Sequence, residues 1–283
     1  MEHVSGGLNV TRSASTYSNN TYSSRQEELL SKVPQATAVF WIVKILATTV
    51  GETGGDALSM TLNLGYAVAT LIFLAFFVIT LTLQVRGDRY HPAIYWAVVV
   101  ATTTVGTTMS DFLDRTAGLG YVASSALLLA AVLLILASWR AVAGRIEYQH
   151  IVRPRDEVFY WLTILVSNTL GTALGDFTAT SLGLGFEHGS LVFAGLLAVV
   201  AIAWRVGKRI PVSVLFWAAY VLTRPLGATL GDTLTKPLAE GGLALERIPA
   251  SLVILGTLAA VVVLQHWLGR GARDVATGSA RYR

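Results

Sequence analysis

Along the chain, apolar stretches alternate with short polar and basic connections. Each stretch is long enough, at about 20 residues, to cross ~30 Å of hydrocarbon. They fall at 36–60, 66–85, 92–115, 121–142, 157–180, 189–206, 212–236 and 249–268, which predicts eight helices with both chain ends on one side. The two alternating kinds differ. Even-numbered stretches, such as Leu71–Leu83 and Leu127–Leu136, are almost uniformly apolar and read as an outer, lipid-facing layer. Odd-numbered stretches carry polar residues at fixed intervals.

Laid over one another, the odd stretches keep one register. Each opens on an aromatic residue followed by tryptophan: Phe40-Trp41, Tyr95-Trp96, Tyr160-Trp161 and Phe216-Trp217. Counting from each tryptophan, position ten is glycine (Gly51, Gly106, Gly171, Gly227) and position fifteen is aspartate (Asp56, Asp111, Asp176, Asp232). Position twenty-four is again glycine (Gly65, Gly120, Gly185, Gly241). Four positions held in step through four copies mark an internal repeat of two helices, with boundaries near 34–90, 91–153, 154–210 and 211–268. Two helices per unit mean that every copy enters the membrane the same way round. The predicted fold class is therefore an all-α polytopic membrane protein of four parallel two-helix repeats, with pseudo-symmetry about the membrane normal.

Composition agrees with that reading. Only 13% of the 283 residues are charged and 53% are hydrophobic, whereas a soluble domain needs about 25% charged residues to coat itself. There are no cysteines, which excludes disulfides and thiolate chemistry. The five histidines keep clear of the mid-span positions and show no metal-ligand spacing. Residues 1–33, rich in Ser, Thr and Asn, read as a disordered cytoplasmic tail, and 269–283 as a short basic one.

Sixteen of 21 Lys and Arg residues lie in the tails or in connections that follow even stretches. They place both termini in the cytoplasm and argue for a membrane surface, not nucleic acid, as the partner of the net charge of +4. The aromatic–tryptophan doublets read as anchors at the membrane interface. The glycines near Asp56 and Pro225 in the last repeat suggest broken helices that expose carbonyls.

Helical periodicity puts positions seven, eleven and fifteen on one face. Position seven holds Thr48, Thr103, Asn168 and Arg224; position eleven holds Glu52, Thr107, Thr172 and Ala228. Each aspartate sits roughly 22 Å along the helix from its tryptophan, given ~1.5 Å per residue. A lone aspartate in mid-membrane costs at least ~2.5–3.5 kcal/mol, so four in register call for a reason. The functional reading is a cation site in which Asp56, Asp111, Asp176 and Asp232 act as metal ligands. Glu52, Asn168, Thr48 and Thr103 then join the aspartates in binding the ion, and Lys44, Arg115, Arg224 and Lys236 are ion-pair partners. The bland reading makes the same charges structural ion pairs, or the aspartates helix N-caps. Leaving aside Glu157, the first residue of its stretch, six acids within the odd stretches (Asp114 included) exceed four bases by two negative charges, which suits a divalent cation or two protons. All-oxygen ligands favour hard ions such as manganese, calcium or magnesium.

Four copies of Trp-x9-Gly-x4-Asp, with Leu174-Gly175-Asp176 and Leu230-Gly231-Asp232-Thr233, resemble a bacterial family of repeat-containing membrane proteins of uncharacterised activity. The resemblance spans about residues 34–268 and implies the bacterial inner (plasma) membrane. Leu-Gly-Asp-Thr at 230–233 is also loosely similar to the Glu-x-Gly-Asp-[Lys/Arg]-[Ser/Thr] motif of calcium/manganese cation exchangers. That motif's glutamate is replaced here by Thr53, Thr108, Ala173 and Thr229.

The sequence thus leads to a secondary transporter, an exporter of a divalent cation such as manganese coupled to protons. The alternatives are a cation channel, a non-transporting scaffold or sensor held by structural ion pairs, and an anion transporter using Lys44, Arg115, Arg224 and Lys236. With neither P-loop nor nucleophile–base pair in the span, an enzyme is not expected. No cofactor is implied beyond a bound divalent cation. The partners are that inorganic cation, protons and the lipid bilayer, and a homo-oligomer is compatible with all of them.

Overall fold

The computed structural model describes residues 32–87, 90–146, 151, 153–207 and 209–280, with backbone alone from 269 onwards. The expected tail at 1–33 lies, but for its last two residues, outside them. The described residues form eight α-helices and no strand. They are α1 (Ala38–Asp56), α2 (Gly65–Arg86), α3 (Pro92–Asp111), α4 (Gly120–Ala143), α5 (Pro154–Asp176), α6 (Gly185–Val206), α7 (Val212–Thr235) and α8 (Arg247–Ala280). Helix starts follow local chemistry. The Thr37 hydroxyl accepts from the Phe40 amide to cap α1, and Pro92 and Pro154 occupy first-turn positions of α3 and α5, where a missing N–H costs nothing.

Six of the helices are long and apolar enough to cross a membrane: Gly65–Arg86, Pro92–Thr116, Gly120–Ala143, Pro154–Ser181, Gly185–Val206 and Arg247–Leu268. The two that fall short are α1 and α7, which carry Lys44, Glu52 and Asp56, and Arg224 and Asp232.

The odd helices close a ring in which α1 packs on α3, α3 on α5, α5 on α7, and α7 back on α1. Position-ten glycines make the contact. A Cβ on Gly51 would run into Thr103, on Gly106 into the backbone of Asn168, on Gly171 into Arg224, and on Gly227 into Thr48. Each glycine thus meets position seven of the following copy, and the last meets the first. Small residues permit this close approach, and hydroxyls stitch it: Thr103 donates to the Ala47 carbonyl at 3.1 Å and Thr48 to the Thr223 carbonyl at 3.2 Å.

The even helices form an outer layer. Each packs on the odd helix of the next copy, α2 on α3, α4 on α5, α6 on α7 and α8 on α1. Their outward faces stay uncovered, with Leu71, Leu134, Val199 and Val253 all more than 60% exposed.

Two expectations are corrected here. The aromatic–tryptophan doublets are not outward anchors: Phe40, Tyr95, Trp96, Tyr160, Trp161, Phe216 and Trp217 are buried. The first ring of each doublet meets the tryptophan of the next copy, as Phe40–Trp96, Tyr95–Trp161, Tyr160–Trp217 and Phe216–Trp41, with centroids 5.6, 5.8, 5.8 and 5.6 Å apart. They form one buried aromatic cluster that plugs one end of the ring, packing in the tilted and edge-on arrangements aromatic pairs favour.

Nor do the glycines or Pro225 break a helix. α1 runs unbroken through Gly51, Gly54 and Gly55, and α7 through Pro225. Immediately after the aspartate, however, the first three copies switch to one π-helical turn, Ala57–Thr61, Phe112–Thr116 and Phe177–Ser181. The chain then reverses at a left-handed residue, which is why position twenty-four is glycine: Gly65, Gly120, Gly185 and Gly241 have φ of 74°, 72°, 72° and 79°.

Candidate functional site

The ring interior carries charge in three tiers between the aromatic plug and the aspartates. Nearest the plug is Lys44, fully buried. Its ammonium donates to Asn168 Oδ1 at 3.4 Å and sits 4.3 Å from the Tyr220 ring centroid. No carboxylate lies within ion-pair distance of Lys44 among the described residues. Asn168 in turn donates to Thr102 Oγ1 at 2.9 Å.

The middle tier is an ion pair across the closure of the ring. Arg224 on α7 is wholly buried, and both of its terminal nitrogens lie 3.0 Å from Glu52 Oε2 on α1. Thr107 and Thr172, at position eleven of the other two helices, surround the pair. Arg224 donates to both hydroxyls at 2.6 Å, and both donate to Glu52 Oε2 at 3.2 Å. The unlike residues at this level are therefore complementary parts of one network: one acid, one base and two hydroxyls drawn from four copies. Low dielectric makes such a network strong only when it is satisfied, and here the Arg224 Nε alone has no partner.

The outer tier contains all four aspartates, each at most 3% exposed. Two cations divide them. Arg115 lies 3.2 Å from Asp111 on its own helix and 3.7 Å from Asp176 of the next copy. Lys236 lies 3.3 Å from Asp232 on its own helix and 2.9 Å from Asp56 of the first copy. Both cations stand at position nineteen of their repeat, and each faces an aromatic ring of the preceding copy, Tyr66 for Arg115 and Phe186 for Lys236. The Tyr66 hydroxyl also accepts from Arg115 at 2.9 Å. None of the first three aspartates caps the π-helical turn that follows it, since each is in helical conformation without a capping bond.

One oxygen from each of Glu52, Asp56 and Asp232 lies within 4.8 Å of the other two, a spacing at which three carboxylates can share one metal ion. Asp56 Oδ1 is buried and accepts no hydrogen bond, and Asp232 Oδ1, also buried, is met by the Lys236 ammonium at 3.3 Å.

Of the residues singled out from sequence, the fold brings together Glu52, Asp56, Asp232 and Lys236 in one cluster, and Asp111, Asp176 and Arg115 in another. Thr48, Thr103 and Asn168 are not brought to the aspartates. They lie two turns away along the helix, roughly 12 Å at ~1.5 Å per residue, and bond to neighbouring helices or to Lys44. Sequence reasoning missed Arg247, whose Nε reaches within 3.6 Å of Asp56 Oδ2 from the start of α8. Its being the sole base in an opposite-side connection was the available signal. It also left Thr107 and Thr172 off the site, although they share the stripe with Glu52.

No curated protein matches the chain, and no solved structure matches it either. A family model for a repeat of unknown function, DUF347, matches it four times, at residues 39–90, 94–144, 159–209 and 215–270. These segments contain the four doublets, the four ring glycines and the four aspartates whose contacts build the ring, and the chain belongs to the DUF347 repeat family.

Proposed function

We propose that this protein is a polytopic membrane transporter that exchanges a divalent cation of the hard, oxygen-seeking class, such as manganese, for protons along the axis of its helix ring. The ring has approximate four-fold symmetry about the membrane normal, and the basic connections face the cytoplasm of a bacterial inner membrane. The observation that carries this reading is the convergence of Glu52, Asp56 and Asp232, two of which, Asp56 and Asp232, hold a buried ammonium. A cation already sits where a transported one would bind, and it is tethered to the chain.

Charge balance supports a divalent ion. Glu52 is matched by Arg224. Asp56 and Asp232 together carry two negative charges, against Lys236 and the loosely held Arg247. One dication can replace both. Arg247 is suited to withdrawal because its side chain is 24% exposed and its contact with Asp56 is long. Anion carriage is less well supported, since every base in the two outer tiers already has a carboxylate beside it.

The scaffold reading draws on the same pairing, which would also hold the helices together. Reconstituted vesicles separate the readings. Manganese entry, followed by quenching of a trapped fluorophore with and without a pH gradient, should be gradient-dependent in wild type. It should be lost in Asp56→Asn at an unchanged melting temperature. Flux that ignores the pH gradient would indicate a channel. No flux in wild type, with Asp56→Asn lowering only the melting temperature, would leave the scaffold.

A further inference from the structure

We infer that the doublet end of the ring is a closed gate, latched by Lys32 to Glu157, and that a cation reaches Glu52, Asp56 and Asp232 from the opposite end. The inference rests on the transport reading above and says from which side its site is served.

The ring order α1, α3, α5, α7 sets α1 opposite α5 and α3 opposite α7. A bond between opposite helices therefore has to cross the axis. Two successive tiers contain such bonds. Lys44 of α1 donates to Asn168 of α5 at 3.4 Å. One turn further along, Thr172 of α5 donates to Glu52 of α1 at 3.2 Å, and Arg224 of α7 to Thr107 of α3 at 2.6 Å, so both diagonals are crossed.

The aspartate tier differs. Its ion pairs run around the ring and not across it. Arg115 joins α3 to α5, Lys236 joins the end of α7 to α1, and Arg247 comes to α1 from α8. The side chains of Arg115 and Arg247 are 33% and 24% exposed, whereas Lys44 and Arg224 are at 0%. Among the described residues, hydrogen bonds and ion pairs thus bar the axis on the doublet side of Asp56 and Asp232 and leave it unbarred on the other.

Beyond Lys44 the doublet rings pack together, and the segment leading into α1 packs against them, with Val33 buried in the same cluster. Lys32 stands 3.3 Å from Glu157 Oε2 in the first turn of α5, the helix diagonally opposite α1. It also donates to the Val85 carbonyl at 2.9 Å, and its own carbonyl accepts from Gln84 Nε2 at 3.0 Å, both on α2. This strap spans the same diagonal as Lys44 and Asn168, at the mouth of the ring. Its ion pair is built to let go. The Lys32 side chain is 19% exposed, and a pair that water reaches adds little to stability, whereas parting Glu52 from Arg224 strands two buried charges. Residues 32–37 are also outside any helix, so the strap moves without unwinding one.

Cysteine reporters in the otherwise cysteine-free full chain read the gate. The probe is a membrane-impermeant cationic methanethiosulfonate, applied to membrane vesicles of both orientations. Val99 and Ile164, 0% exposed and at the same repeat position as Lys44, report from behind the plug. Val99→Cys and Ile164→Cys should be nearly silent from the doublet side. Adding Lys32→Gln or Glu157→Gln should quicken both roughly two- to fivefold, the range that one partly exposed ion pair supports. Lys32→Glu, which sets two acids face to face, should quicken them further. Lys32→Glu with Glu157→Lys should bring the rate back down, with every variant melting close to wild type. Arg247→Cys should react from the opposite side and be slowed by manganese.

Brisk labelling of Val99→Cys and Ile164→Cys from the doublet side in the otherwise unaltered chain would overturn the gate. Rates indifferent to Lys32 and Glu157 would overturn the latch, and both results would leave the transport reading standing. Arg247→Cys that reacts equally with and without manganese would instead remove the transport reading, and the entry route with it.

Discussion

Arg224 in the last repeat and Glu52 in the first meet across the seam where the ring closes, with two nitrogens 3.0 Å from one carboxylate oxygen. Neither residue has a counterpart of its own type in any other copy. The pair therefore marks which repeats are first and last in an otherwise repetitive ring.

Truncating one partner strands a buried charge, at a cost of roughly 3–5 kcal/mol. Arg224→Ala and Glu52→Ala should each lower the melting temperature in detergent sharply, and Arg224→Lys should rescue little because an ammonium cannot serve Glu52, Thr107 and Thr172 with a planar fork. The double change Arg224→Met with Glu52→Leu should recover much of the loss. A double variant as unstable as the sum of the singles would mean the two residues stabilise the fold independently.

The glycines separate into those that contact a neighbour and those that do not. A Cβ at Gly106 would lie 2.8 Å from the Asn168 carbonyl carbon and 3.0 Å from the Thr169 nitrogen, and backbone cannot step aside. Gly106→Ala should destabilise by about 1–3 kcal/mol, as overpacked cores do. Gly54 has nothing within 4 Å of its Cβ position, so Gly54→Ala should be neutral or gain about 0.4–1 kcal/mol through a less flexible unfolded chain. Thermal melts of the two variants side by side decide it, and equal effects would contradict the packing described.

Because the chain has no cysteine, single cysteines report accessibility cleanly. Arg209→Cys should react with a membrane-impermeant maleimide only from the cytoplasmic side, and Ala117→Cys and Glu240→Cys only from the opposite side. Val199→Cys, in the middle of an outward face, should be slow from both. Labelling of Arg209→Cys and Glu240→Cys from the same side would rule out the proposed topology.

Much of this architecture was open to reading before any coordinates. Eight helices, their starts and ends to within a few residues except for the end of α8, which runs on to Ala280 through most of the expected basic tail, and the four-fold recurrence follow from local properties: apolar length, proline at first turns, and glycine where the chain must turn left-handed. The aspartates were equally legible, since a charge recurring at one helical position is a pattern in one dimension.

What the sequence could not decide is who meets whom. The doublets looked like surface anchors because aromatic residues at helix ends suit an interface, yet their burial depends on the distance between helices, which the Gly–Thr and Gly–Asn contacts set. The likeness of Arg115 and Lys236 in repeat position was present in the letters, but not that each clamps two aspartates, because one of the two comes from another copy. Arg247 reaches Asp56 only because α8 packs back on α1. Local periodicity determined the helices and the stripe of charge on each. Ring closure, a contact between the two ends of the chain, decided which charges became a pair and which three carboxylates converged.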